Sequence, residues 1–150
     1  MMGAAALSTA SIGLMAAPAG SAPKTLTGAF TETDNVIPDG LANGEYLVKV
    51  TNSQAGEGAG VTQADVANDA PSGTMTSVDY FAGGSVKTSA TIVFGPSGLS
   101  TGTPQPTSGS GTCTGGTGVF AKVKCSFTYT GAFNEVKGIS TVKITGTYKK

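Results

Sequence analysis

Between residues 85 and 94 the chain alternates. Val86, Ala90, Ile92 and Phe94 fall in one phase, and Lys87, Ser89, Thr91 and Val93 in the other. A two-residue period is that of a β-strand with one buried face, because successive side chains leave opposite sides of the backbone. The same period recurs from residue 24, where Leu26, Gly28, Phe30 and Glu32 share a face opposite Thr25, Thr27, Ala29 and Thr31. It returns in 45–51, with Tyr46, Val48 and Val50 together, and in 139–148, with Val142, Ile144 and Tyr148 opposite Lys143. Residues 74–81 and 126–130 read as further strands. Nothing after residue 22 carries a convincing helical period.

The connections are legible from turn chemistry. Asp34-Asn35 and Pro38-Asp39-Gly40 mark turns, and Ala82-Gly83-Gly84 is the best hairpin signal. Residues 52–60 read as a glycine-rich polar loop, and 61–70 suit a helical turn or a strand. Residues 95–111, dominated by Gly, Pro, Ser and Thr, read as a long surface loop or irregular edge segment. The total is about seven or eight short strands, which argues a sandwich or a barrel. With 150 residues, the chain is one domain's worth and can bury a core without a metal.

Composition excludes several function classes. Lysines and acids cancel at 9 each, and arginine is absent, so the bidentate contacts typical of nucleic-acid binders are missing. The lysines form no basic patch, and nucleic acid is not an expected partner. Histidine is also absent, which removes Ser-His-Asp and Cys-His sites and ordinary zinc or haem centres. No metal site is expected.

Residues 1–22 carry no charged side chain, are rich in alanine, and end in Gly20-Ser21-Ala22, small residues that suit signal-peptidase cleavage. They read as a signal peptide, with residues 23–150 as the mature domain, secreted or held in the cell envelope with no membrane segment of its own. The missing basic n-region is explained if the true start codon lies upstream of Met1. Cys113 and Cys125 are the two cysteines, and an even count in an exported chain favours a disulfide. Closing so short a loop is worth roughly 3 kcal/mol. Were 113 opposite 125 across an antiparallel pair, the residues between would form a broad loop and the next strand would start near Lys124. Alternation alone would start it at Val119. The spacing is far from that of a redox-active pair.

The stretch Gly115-Gly116-Thr117-Gly118-Val119-Phe120-Ala121-Lys122-Val123-Lys124, running on into Ser126-Phe127-Thr128-Tyr129, resembles the glycine-rich segment and following strand of the allene oxide cyclase and dirigent protein barrels. Val78-Asp79-Tyr80-Phe81-Ala82-Gly83-Gly84-Ser85-Val86 is similar to the hairpin before their long inner strand. Lys122 and Cys125 depart from the pattern, standing where those families usually have glycine. The resemblance implies a closed antiparallel β-barrel of about eight strands, lipocalin-like, with an apolar lumen open at one end. It also implies a trimer and no cofactor.

The glutamate that polarises the substrate in the plant cyclases, with an asparagine two residues on, is matched here by Glu32 and Asp34. A carboxylate on a core face must lose hydration, so Glu32 is either functional with a raised pKa or a barrel-mouth residue reaching solvent. Phe30, Tyr46, Tyr80, Phe94 and Phe127 are the candidate ligand-binding residues. Three functions follow as expectations: a secreted module binding a hydrophobic or phenolic small molecule, a cofactor-free isomerase or cyclase acting on a lipid-derived epoxide, or a structural surface protein with a filled barrel.

Overall fold

The computed structural model describes residues 25–37, 44–67, 70–96, 104–134 and 139–150; the proposed signal peptide lies outside them. Eight antiparallel strands close into one barrel in sequence order: β1 (Gly28–Ile37), β2 (Glu45–Asn52), β3 (Gly56–Asp65), β4 (Ser72–Phe81), β5 (Gly84–Phe94), β6 (Gln105–Gly116), β7 (Lys124–Asn134) and β8 (Ile139–Lys149). Closure is made by β1 on β8, with Phe30 opposite Gly146 and Glu32 opposite Ile144. Between barrel and sandwich, the chain is a barrel. Among the described residues no strand edge is left unpaired, so this barrel needs no other protection from edge-to-edge association.

The alternation held where side chains are large. Phe30, Val48, Val50, Val86, Ile92 and Ile144 are buried inside, while Thr31, Lys49, Lys87 and Lys143 face out. Three local readings are corrected, and the open choice at 61–70 is settled over 61–65. Asp34-Asn35 is no turn but part of β1, paired with Val50 and Lys49. Residues 52–60 hold a three-residue connection and the first half of β3. Residues 61–65 complete that strand and form no helical turn. Residues 105–111 lie in β6, paired on both sides.

The two ends of the barrel differ. One is plugged. Leu26, Ala55, Phe120 and Val123, all from segments joining or preceding strands at that end, are buried there with Val50, Phe81 and Tyr148. Phe120 ends a short 3-10 turn (Gly118–Phe120) and lies against Phe81, ring centroids 5.5 Å apart. Cys113 and Cys125 are disulfide-bonded, with Cα atoms 4.9 Å apart. Thus 113–125 is a strapped loop, and β7 begins at Lys124.

The glycine-rich stretch docks this loop onto the β4–β5 hairpin. The Val119 amide donates to the Gly83 carbonyl at 3.0 Å and the Thr117 amide to Ser85 at 2.8 Å. Gly118 has a left-handed φ of 58°, and a Cβ there would strike the Gly83 carbonyl. Glycine is required by both conformation and contact.

At the other end several inward-facing residues are only half-buried, although Ile92 and Thr107 are buried. Val36, Tyr46, Met75, Phe94 and Val142 all show this graded exposure. Among the described residues no side chain plugs this open end, where β1, β3, β5 and β7 finish.

Candidate functional site

Glu32 and Asp34 sit two residues apart on β1 and both point inward, as their phase with Phe30 requires. Glu32 is 9% exposed. It lies opposite Asn52, the last residue of β2, and Asn52 Nδ2 donates to Glu32 Oε2 at 2.7 Å. The orientation of that amide is set by the backbone. Asn52 Oδ1 accepts from the amides of Gln54 at 2.9 Å and Ala55 at 3.0 Å, closing the β2–β3 turn. With the oxygen so engaged, the NH2 group must face the lumen. Its second bond goes to the Tyr148 hydroxyl at 2.9 Å. Tyr148 in turn stacks on Phe30, centroids 4.2 Å apart.

A third carboxylate comes from β4. Asp79 is 3% exposed and accepts a hydrogen bond from Ser77 Oγ at 2.8 Å; Thr62 Oγ1 donates to Ser77 Oγ at 3.2 Å. Asp79 pairs across the sheet with Gly60. A Cβ on Gly60 would collide with Asp79 Oδ1, so this glycine makes room for the carboxylate.

Burial raises all three acids above the ordinary carboxylate range, because the charged form loses hydration. Glu32 is pushed up to about 7, with the Asn52 hydrogen bond pulling it back and the Asp79 charge adding to the rise. Asp34 is pushed up to about 9 by burial and then by the charges of Glu32 and Asp79. Asp79 rises to about 6, opposed by the Ser77 bond. Near neutral pH the cluster is therefore only partly ionised, its members coupled through their charges. Its least-served atom is Asp34 Oδ1, buried and without a hydrogen-bond partner. Asp34 lies between the filled half of the lumen and the half-exposed residues of the open end.

The candidate ligand-binding residues divide. Phe30 and Phe127 are buried in the lumen; Tyr46 and Phe94 face inward at the open end. Tyr80 is corrected: it lies on the outer wall, 59% exposed, because Asp79 and Phe81 take the inward phase of β4. Asn52, Asp79, Ser77 and Tyr148 join the site without having been singled out from sequence. Asp79 had a usable signal in its phase with Phe81. Asn52 did not, standing where turn residues normally end a strand. Among the described residues no group of three or more Cys, Asp or Glu side chains has the geometry to hold a metal ion.

The described residues include no helix long and apolar enough to cross a membrane. Comparison with known proteins returns no match: no family model, no curated protein and no solved structure aligns significantly with this chain.

Proposed function

We propose that the barrel is a cup for a small hydrophobic molecule with a phenolic or similar hydroxyl head. Its apolar body would lie against Val36, Tyr46, Ile92 and Phe94 in the open half, with the head at Asp34. The observation that carries this reading is Asp34 Oδ1, a buried acceptor without a partner where the filled lumen gives way to the open one. A buried polar atom left unpaired is costly, and a ligand donor would remove that cost. Titration calorimetry with a long-chain alkylphenol tests it. The wild type binds, and Asp34→Ala weakens binding by about tenfold, the worth of one hydrogen bond to a carboxyl group. Binding unchanged in Asp34→Ala, or tighter binding of the matching alkane, would sink the reading.

A second reading, a cofactor-free isomerase or cyclase, is favoured by Glu32. A carboxyl poised near 7 and oriented by Asn52 suits general acid–base catalysis at neutral pH. Turnover of a lipid-derived epoxide by wild type, lost in Glu32→Gln with binding retained, would establish it. The structural reading draws only on the filled half of the barrel. It would be favoured if the open half takes up no hydrophobic probe.

We also place the protein in an oxidising compartment, outside the cytoplasm, because its two cysteines are disulfide-bonded. Self-association is supported by the outer wall of β1–β4, where Ile37, Leu47, Val61 and Val78 lie opposite one another in one row. The first three are 45%, 38% and 38% exposed.

A further inference from the structure

The barrel has a second concavity, on its outer wall, unrelated to the lumen. It is a shallow groove of about 710 Å³ across β4–β8. Two rungs of hydroxyl side chains line it. The first runs Thr74, Thr91, Ser110, Thr128, Thr145 and on to Thr31 of β1, each exposed and each beside the next on a neighbouring strand. The second runs Thr76, Ser89, Thr112, Ser126 and Thr147, each beside the next and all exposed except the half-buried Ser89; Thr31 and Thr76 extend the rungs beyond the groove's lining. Six consecutive strands thus present hydroxyls in register, with no charged residue in either rung. The remainder of the outer wall is of the mixed kind usual for a soluble protein, with Lys49, Glu57, Glu45 and Asp65 exposed on β2 and β3. Exposed lysines border the rungs, Lys143 two residues from Thr145, Lys87 from Ser89, Lys124 from Ser126 and Lys149 from Thr147.

Sheet geometry sets their repeat at roughly 4.8 Å between strands and roughly 6.7 Å along each strand. All eleven are threonines or serines on strands held at both sides by the ladder. Neighbouring hydroxyls lie 3.5 Å apart at Thr128–Thr145 and Ser126–Thr147. Threonine is stiff about χ1, so the eight threonines each offer a fixed hydroxyl beside a methyl group, while Ser89, Ser110 and Ser126 offer a hydroxyl alone. Behind the rungs the inner face carries Gly109, Gly111 and Gly146, where a Cβ would strike the rings of Tyr129, Phe127 and Phe30 respectively. No inward side chain at these positions props the wall outward, and the groove lies over them.

The chemistry narrows the ligand. The lining itself carries no charge, so it gives phosphate, nucleic acid or an ionic surface no ion pair within the groove. Phe127 lines the groove but turns its ring inward against Gly111, so a sugar finds no aromatic face to stack on. What a regular, neutral, two-dimensional array of hydroxyls and methyls matches is a ligand that is itself a regular array of oxygens. We propose that the hydroxyl face of β4–β8 binds ice, with the threonine and serine hydroxyls entering the oxygen lattice and the methyls seated between.

Ice-affinity partitioning and recrystallisation inhibition of the full, disulfide-intact protein test this. The wild type is expected to enter a growing polycrystalline ice shell and to suppress recrystallisation. Thr128→Tyr and, on the other rung, Thr112→Lys should each raise the concentration required by at least about tenfold, with circular dichroism unchanged. Thr51→Lys on the outer wall of β2 and Asp34→Asn in the lumen should behave as wild type, which separates this surface from the lumen function. Exclusion of the wild type from ice would overturn the proposal. So would equal loss in Thr51→Lys, or retention on crystalline cellulose or chitin in place of ice.

Discussion

Asn52 organises the lumen's polar cluster, because its two halves serve different masters. Its oxygen caps the β2–β3 turn while its NH2 group bridges Glu32 and Tyr148. Asn52→Ala should cost about 1–3 kcal/mol and move the Glu32 titration further up, since the lost bond favours the ionised form; carboxyl NMR reads both changes. The cluster also sets how stability depends on pH. In the folded state Glu32, Asp34 and Asp79 hold protons that the unfolded chain releases near pH 4. The native state thus binds more protons than the unfolded state between there and about 9, the highest of the three raised values. The slope of stability with pH is negative in that window. The thermal midpoint should therefore be highest near pH 4 and fall as pH rises to 9, and Asp34→Asn should flatten the decline and raise the midpoint at pH 8. A midpoint that climbs between pH 5 and 8 would contradict the description of the cluster. Glu32 and Asp34 were legible in the sequence because they keep step with Phe30. Tyr148 and Asn52 were not, since only closure of β1 onto β8 and the turn after β2 bring them to Glu32.

Among the strands, those with bulky inward residues could be read by eye, and β3 and β6 could not. The reason is a division of labour across the sheet. Inward positions of β3 and β6 hold glycine, and the ring that fills the space comes from the neighbouring strand. Gly58 faces Phe81, Gly109 faces Tyr129 and Gly111 faces Phe127. A strand whose apolar half has been moved to its partner shows no alternation of its own, so it resembles a loop. Tyr129 fits the same scheme, lying over Gly109 with its hydroxyl donating to the Thr91 carbonyl at 2.8 Å. Gly111→Ala would put a Cβ 2.5 Å from Phe127 Cζ and 2.5 Å from the Ser89 carbonyl oxygen. The strand must shift, at about 1–3 kcal/mol for such overpacking. Urea unfolding should show it, and Phe127→Leu should restore part of the loss in the double variant. On the outer face, Leu47→Lys with Val61→Lys interrupts the apolar row of β1–β4. If that row joins copies of the chain, light scattering will show the mass of the assembly falling to that of one chain.

At the scale of the molecule the barrel is polarised along its axis, and the closed-end strap is separated from the open mouth by the carboxylate cluster. Cys113 and Cys125 tie β6 to β7 beside Phe120 and Val123, whereas the proposed ligand would lie among Tyr46, Phe94 and Val142. Stability and binding should therefore be separable. Replacing both cysteines by serine frees a loop with a sequence separation of 12, which in the loop-entropy account lowers stability by about 3 kcal/mol. The plug itself keeps its other anchors, the amide bonds from Thr117 and Val119 onto the β4–β5 hairpin. The double variant should therefore unfold at lower urea while binding the alkylphenol with wild-type affinity under conditions where it is still folded. Adding reductant to the wild type should shift its urea midpoint in the same direction. If affinity falls in parallel with stability, the open half is not independent of the strap, and the ligand would have to be sought nearer the closed end, against Phe30 and Tyr148.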